Sequence, residues 1–146
     1  MKHFDYFAPT EIIFGAGRVT EAGALAARYG KKAMLVTVPE FPAVAELYAK
    51  VKKSLADAGV ACVHYDGVIP NPTTELVTRG AELAKAEGVD VVIGLGGGSS
   101  MDTAKAIAVE ATHPGTAWDY NCHTAGPTEQ TLPILAISTT AGTGSQ

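Results

Sequence analysis

The strongest constraint on the fold is an apolar run that leads into three glycines and then into a helical pattern. Residues 90–95 predict a buried strand, residues 96–98 a turn, and residues 101–109 a helix. Glycines let a backbone approach a ligand closely because no Cβ intervenes. The first N–H groups of a helix and its dipole together attract anions. This segment therefore predicts either a diphosphate-binding turn or, as the plainer alternative, a tight turn that binds nothing.

The rest of the chain alternates strands and helices. Further strands are predicted at 12–14, 33–37, 60–64 and 133–137, and further helices at 18–29, at 43–57, and from the 71–75 turn to Gly88. Such alternation implies right-handed βαβ crossovers and a mostly parallel sheet. The continuous apolar runs indicate that both faces of the sheet are covered. We predict a doubly wound α/β domain that binds its ligand beyond the carboxyl ends of the strands.

Length, charge and hydropathy exclude several classes of function. The 146 residues fit one domain, and 47% of them are apolar. A net charge of −4 without a basic run argues against nucleic acid or an anionic membrane as partner. No apolar stretch approaches the roughly 18 residues of a membrane span. The first five residues lack the apolar core of a signal peptide, so we expect a cytoplasmic protein.

A second loop rich in hydroxyl groups and glycine follows the last predicted strand. It comprises residues 138–145 and includes Thr139, Thr140 and Ser145. Hydroxyls at the carboxyl end of a buried strand suit ribose, phosphate or amide groups, although a turn that caps a further helix is an equal alternative. We expect this loop and the glycine turn to flank one cleft.

The polar side chains next to the glycine turn each allow two interpretations. Ser99 and Ser100 can cap the helix or donate to a phosphate oxygen. Asp102 and Lys105 lie three residues apart on one helix face, so they form either a local ion pair or a site in which Asp102 points into the cleft.

The cysteines and histidines do not show metal-binding spacing. Cys62 lies in an apolar run and is predicted to be buried, while Cys122 beside His123 is a weak candidate for a metal ligand. We interpret all the histidines as surface or loop residues: His3, His64, His113 and His123.

The order of these motifs resembles that of the iron-containing (group III) alcohol dehydrogenase family. The matching segments are Phe-Gly-Ala-Gly at 14–17, Asn-Pro-Thr at 71–73, Gly-Gly-Gly-Ser with Asp and Ala-Lys at 96–105, and Thr-Thr-Ala-Gly-Thr-Gly-Ser at 139–145. The resemblance implies a Rossmann-like fold of the kind also found in the N-terminal domain of dehydroquinate synthases. Residues 1–146 would be the NAD(P)-binding domain, without the helical metal-binding domain that follows it in the family.

The resemblance also implies roles for individual residues. Gly97, Gly98 and Ser99 would hold the cofactor diphosphate, with Asn71 near the diphosphate or ribose. Asp102 would be the catalytic residue, close to the nicotinamide and the substrate. Three residues of the second loop would contact adenine, ribose or phosphate: Thr139, Thr140 and Ser145.

The activity implied by the resemblance is hydride transfer between a nicotinamide cofactor and a primary alcohol or aldehyde. Fe²⁺ or Zn²⁺ would polarise the substrate oxygen, and its ligands would lie in the absent domain, so no residue of this chain is assigned to metal. The family habit favours NAD, but Val38 occupies a position that is often acidic, which leaves NADP open despite nearby Glu40. Gln146 also stands where the family usually has Glu. A homodimer is implied, in which residues 7–13 pair between two copies.

Four alternatives to this activity can be compared with the sequence. The chain is compatible with a stand-alone nucleotide-binding module. Dehydroquinate synthases do not usually keep a lysine at Lys105 or the Thr139–Thr140 pair, and glycerol dehydrogenases tend to have lysine at Ser99. Maleylacetate reductases usually lose the acid found here at Asp102. The alcohol or aldehyde branch therefore fits best.

Overall fold

The structure is a computed structural model that describes residues 3–5, 7, 9–121 and 125–145. Within these residues the strands are β1 (Lys32–Val36), β2 (Ala61–Tyr65), β3 (Val91–Gly96) and β4 (Ile134–Ser138). The α-helices are α1 (Ala22–Ala26), α2 (Pro42–Asp57), α3 (Thr74–Glu87), α4 (Gly98–Glu110) and α5 (Ala117–Asn121), and a short 3-10 helix (Arg18–Glu21) precedes α1.

The four strands form one parallel sheet in the order β2-β1-β3-β4. Val36 lies opposite Tyr65 in β2, and Gly96 lies opposite Ser138 in β4. The predicted doubly wound α/β fold is confirmed. Since all four strands run in the same direction, their carboxyl ends lie along one edge of the sheet.

Each face of the two central strands is covered by helices. On one face, Leu35 and Ile93 pack against the buried side chains of α2, which are Tyr48, Val51 and Leu55. On the opposite face, Met34 and Val92 pack with Val77 of α3 and Ile107 of α4. Each fully buried side chain of this size stabilises the fold by about 1.5–3 kcal/mol relative to exposure. The continuous apolar runs of β1 and β3 are explained by this double coverage.

The helix boundaries follow local sequence signals. Pro42 begins α2, where its missing N–H costs no hydrogen bond, and Gly88 ends α3 with a left-handed φ of 61°. Gly80 lets α3 and α4 approach closely, since a Cβ there would lie 2.3 Å from Cδ1 of Ile107. Of the helices in the described ranges, none is both long and apolar enough to cross a membrane.

The amino-terminal segment differs from its prediction. Residues 12–14 do not form a strand, and Ile12 and Phe14 are 84% and 92% exposed. The apolar run predicted a strand, but in the described part of the chain no neighbouring strand supplies hydrogen bonds to it. The helix predicted over 18–29 is also divided into the 3-10 helix, α1 and a turn.

Cys62 is exposed, and the prediction of a buried residue was wrong. It lies on β2, an edge strand whose first two residues are both exposed. An edge strand has a neighbour on one side only, so an apolar local sequence does not ensure burial there.

Candidate nucleotide-binding site

The path of the chain creates a crevice between β1 and β3. From β1 the chain continues into α2 on one face of the sheet, whereas from β3 it continues into α4 on the opposite face. The two loops that leave these adjacent strands therefore diverge. In open α/β sheets, ligands bind beyond the carboxyl ends of the strands at such a reversal of strand order.

The glycine turn places an uncapped helix end in this crevice. Gly96 has a φ of 144°, which favours glycine. Gly97 is the N-cap of α4, and no side chain forms a capping hydrogen bond there. A Cβ on Gly97 would have no atom within 4 Å, so the space above the turn is open. An uncapped helix N-terminus next to open space is suited to an anion.

The helix begins three residues earlier than predicted, which changes the places of the two serines. Because α4 starts at Gly98, Ser99 and Ser100 lie in its first turn and neither caps it. Ser99 is partly exposed. Ser100 is buried, and its hydroxyl has no hydrogen-bond partner in the described structure.

The loop at 139–145 lies directly beside the glycine turn. The N–H of Thr139 donates to the carbonyl of Gly96 at 2.9 Å. A Cβ on Gly98 would lie 2.9 Å from Cγ2 of Thr143 and 3.2 Å from Oγ of Ser145. The two loops thus lie side by side at the carboxyl edge of the sheet, as expected from the order of the motifs.

Asp102 and Lys105 both bond to Ser145. The Lys105 ammonium donates to the Ser145 carbonyl at 2.5 Å, and the Ser145 hydroxyl donates to Oδ2 of Asp102 at 3.2 Å. Among the ion pairs of the described residues, Asp102 and Lys105 do not form one with each other. Their spacing on α4 therefore serves to fix the second loop.

The remaining predicted residues lie at the same edge but make fewer contacts. Thr139 and Thr140 are exposed, and the Ser138 hydroxyl donates to the Thr140 carbonyl at 2.9 Å. Asn71 is exposed, with a left-handed φ of 54°. It follows β2, so β1 separates it from the glycine turn.

A polar cluster at the end of β1 was not predicted. The Thr37 hydroxyl donates to the Val38 carbonyl at 2.7 Å and lies 2.8 Å from Nε2 of His64. The Tyr48 hydroxyl donates to the same carbonyl at 3.3 Å. Burial lowers the pKa of His64, and nearby Lys52 lowers it further. The prediction of a surface histidine was wrong for His64, because the register of β2 places it beside Leu35 on the face covered by α2.

His113 lies in the loop after α4, as predicted, but it is buried there. Its Nε2 accepts the N–H of Thr128 at 3.0 Å, and its Nδ1 lies 3.0 Å from the carbonyl of Val109. Both ring nitrogens are engaged in joining the end of α4 to the following loop. No local sequence signal indicates this role, since the two residues in contact lie fifteen positions apart, on either side of α5.

Metal-binding groups are lacking in the described part of the chain. No set of three or more histidine, cysteine, aspartate or glutamate side chains lies close enough there to hold an ion. Cys122 and His123, the weak candidates, and Gln146 fall outside the described residues.

A broad surface groove of about 1060 Å³ lies elsewhere, between α3, α4 and α5. Arg79, Glu82 and Trp118 are among its lining residues, and none of the predicted site residues lines it. Glu75 occupies the first turn of α3 and accepts hydrogen bonds there, which holds the pKa of its carboxyl below the usual value. The first turn of α3 therefore carries a carboxylate, whereas the first turn of α4 has no acidic residue.

Comparison with known proteins agrees with this architecture. Residues 9–146 match the family model for iron-containing alcohol dehydrogenase. A choline dehydrogenase of Bacillus subtilis is 45% identical over 150 residues, which cover 100% of this chain and 37% of that protein. A probable NADH-dependent butanol dehydrogenase of the same organism is 36% identical. The match covers 100% of this chain and 38% of that protein.

Solved structures show the same similarity. The archaeal alcohol dehydrogenase ADH/D1 from a Red Sea brine pool superposes with a TM-score of 0.92 at 40% identity, over 99% of this chain and 38% of that one. The fold therefore defines the chain as a Rossmann-like α/β protein. The chain belongs to the iron-containing alcohol dehydrogenase family. It spans a little over a third of the length of these relatives.

Proposed function

We propose that this chain is the cofactor-binding part of an NAD(P)-dependent oxidoreductase that interconverts a primary alcohol and an aldehyde. The observation that carries the proposal is the uncapped N-terminus of α4, which lies beside the 139–145 loop at the reversal of strand order. A relative from Clostridium acetobutylicum is named NADH-dependent butanol dehydrogenase A, which supports the assignment.

The diphosphate of the cofactor would sit on the first turn of α4. The N–H groups of Gly98 and Ser99 begin the helix and would donate to phosphate oxygens, while Gly97 leaves the space that a side chain would fill. Thr139 and Thr140 would offer exposed hydroxyls to ribose or adenine. Asn71 would approach the same ligand from the end of β2.

Asp102 would act at the nicotinamide end of the cleft. Its Oδ2 accepts the Ser145 hydroxyl, and Asp102 is exposed at the first turns of α4. Its carboxylate would bond the substrate or nicotinamide and hold it in place. When bound, the nicotinamide ring supplies the hydride chemistry, and the protein supplies position and electrostatics.

We propose NAD as the preferred cofactor. The name of the butanol dehydrogenase relative specifies NADH. Val38 does not repel a 2′-phosphate as an acid would, but Glu40 follows two residues later and is exposed. Glu40 would disfavour a 2′-phosphate at the end of β1. NADP is therefore the weaker ligand in this proposal.

The metal of the family does not fit the described residues, because they present no donor set for Fe²⁺ or Zn²⁺. No chemical step is assigned to a metal through them. In this proposal the chain alone binds the cofactor without turnover.

A second copy of the chain is the proposed partner at the amino terminus. Phe7, Ile12 and Phe14 are 88%, 84% and 92% exposed. Large apolar side chains exposed to this extent along one segment are typical of a contact surface. We propose that the protein is a cytoplasmic homodimer that acts on a small alcohol or aldehyde and binds neither nucleic acid nor membrane.

Calorimetric titration tests the proposal. The chain is titrated with NADH, NADPH and ADP-ribose, and folding is checked by circular dichroism. We expect binding of NADH and ADP-ribose, weaker binding of NADPH, and no alcohol oxidation. A folded sample that binds none of these ligands at millimolar concentration contradicts the proposal.

A further inference from the structure

Ser100 has an unpaired hydroxyl at a site where such groups are usually satisfied. The residue is 1% exposed, and its Oγ has no hydrogen-bond partner in the described structure. A buried hydroxyl without a hydrogen-bond partner lowers the free energy of unfolding. The next hydroxyl along α4, that of Thr103, is also buried but donates to the Ser99 carbonyl at 2.7 Å. Among the buried side-chain polar atoms in the described ranges, only the Ser100 hydroxyl lacks a hydrogen-bond partner.

The hydroxyl faces the backbone of the glycine turn. Its Oγ lies 2.6 Å from the place that a Cβ of Gly96 would occupy. The same helix turn packs on Gly94, where a Cβ would lie 2.9 Å from Cα of Met101. Because β3 has glycine at positions 94 and 96, it leaves room for α4 and for the Ser100 hydroxyl beneath the glycine turn.

The position of Ser100 in the helix suggests its partner. Gly97 is the N-cap of α4, so Ser100 is the third helical residue. In the capping box, a Glu or Gln side chain at that position accepts a hydrogen bond from the N–H of the N-cap residue. The N–H of Gly97 follows Gly96, the residue that the Ser100 hydroxyl faces, and is the donor that this helix position favours.

We propose that Ser100 is a positioning residue for diphosphate binding, and the inference rests on the proposed function. When a diphosphate occupies the amides of Gly98 and Ser99, the N–H of Gly97 donates to Oγ of Ser100, while the Gly96 carbonyl keeps its bond from the N–H of Thr139. The bond fixes the turn in its ligand-bound shape. The hydroxyl acts through the backbone, since its Oγ is buried.

The experiment compares Ser100→Ala with Thr103→Val, which removes a buried hydroxyl that already has a partner. Thermal unfolding and titration with ADP-ribose and NADH are measured for both variants and the parent. Ser100→Ala is expected to raise the unfolding temperature by roughly 2–6 °C and to weaken both ligands roughly threefold to tenfold. Thr103→Val is expected to lower the unfolding temperature and to leave both affinities within about twofold of the parent.

Amide NMR adds a readout that a purely structural role does not affect. Saturation with ADP-ribose is expected to shift the Gly97 amide proton downfield in the parent and to leave it nearly unshifted in Ser100→Ala. Equal affinities of the parent and Ser100→Ala, or a lower unfolding temperature for Ser100→Ala, overturn the role of Ser100 alone. A folded parent that binds neither ligand overturns the proposed function and this inference with it.

Discussion

The ammonium of Lys105 donates to the carbonyl oxygen of Ser145 at 2.5 Å, across 40 residues of sequence. Lys105 is half-buried, so the bond is shielded in part from water. Together with the bond from Ser145 to Asp102, it fixes the end of the 139–145 loop to α4 at two points. The shape of the proposed cleft therefore depends on a lysine that need not contact the ligand.

Replacing Lys105 is expected to loosen this loop. Lys105→Met keeps the aliphatic stem but removes the donor, and hydrogen bonds from charged groups contribute about 1.5–3 kcal/mol. We expect NADH affinity to fall roughly tenfold, with part of the loss recovered in Lys105→Arg, as measured by titration. Lys85→Met, at an exposed position on α3, is the control. Equal affinities for Lys105→Met and Lys85→Met would show that the bond has no such role.

Two neighbouring glycines are expected to respond differently to alanine. At Gly97 a Cβ meets no atom within 4 Å, and the φ of −81° suits alanine. Gly97→Ala should therefore leave the unfolding temperature unchanged and weaken ADP-ribose at least tenfold, because the methyl group enters the proposed diphosphate space. Gly98→Ala, unlike Gly97→Ala, should destabilise the protein, by about 1–3 kcal/mol, because the new Cβ would contact Thr143. Full ADP-ribose affinity in Gly97→Ala would exclude the diphosphate from this turn.

His64 is expected to make the protein less stable as the pH falls. Burial is the main cause that lowers its pKa, Lys52 adds to the effect, and Asp66 and Glu40 oppose it. The unfolded chain therefore binds a proton more readily than the folded one. The stability that neutral His64 contributes is fully present above its unfolded-state pKa of about 6.5. It is lost as the pH falls toward the lower pKa that His64 has in the folded protein.

His64→Gln tests this pH dependence, because glutamine can donate a hydrogen bond but does not titrate. Urea unfolding between pH 7.5 and 5 should show a smaller loss of stability for this variant than for the parent. Parallel curves over the whole range would mean that another group is responsible.

Asp90 is expected to contribute stability that disappears only in acid. Its Oδ2 accepts the N–H groups of Lys31 and Lys32 at 2.7 and 2.9 Å, and these bonds lower its pKa. The contribution is present above the unfolded-state pKa of about 3.9 and is lost as the pH falls through the folded value. Asp90→Asn should therefore unfold more easily than the parent at pH 7, and the difference should shrink by pH 3. Asp57→Asn, which alters an exposed ion pair with Lys53, serves as the control for a general charge effect.

The sequence predicted most of the sheet because its signals were local. The apolar runs at 33–37 and 90–95 are buried on both faces, so local hydropathy and tertiary burial agree. The run at 12–14 has the same local appearance but lacks a neighbouring strand in the described structure, and Phe14 is exposed instead. Whether such a run is buried depends on the position of its strand in the sheet, and a few residues of local sequence do not determine that position.

The candidate site was predicted as two loops, but not as a connected structure. Topology alone placed the glycine turn beside the 139–145 loop. The bond from Lys105 to Ser145 was not foreseen, since a three-residue spacing suggests a pair with Asp102. The partial burial of His64 and the burial of His113 were not predicted for a similar reason, because Thr37 and Thr128, which they contact, lie 27 and 15 residues away.

The opposite placement of α2 and α4 on the sheet has an evolutionary consequence. The crevice between their strands is produced by the route of the backbone and does not depend on any one side chain. Insertions or substitutions in the loops after β1 and β3 can therefore change which ligand binds, while the binding site stays at the same place in the fold. Relatives of this chain would then be expected to conserve the location of this crevice even where the residues that line it differ.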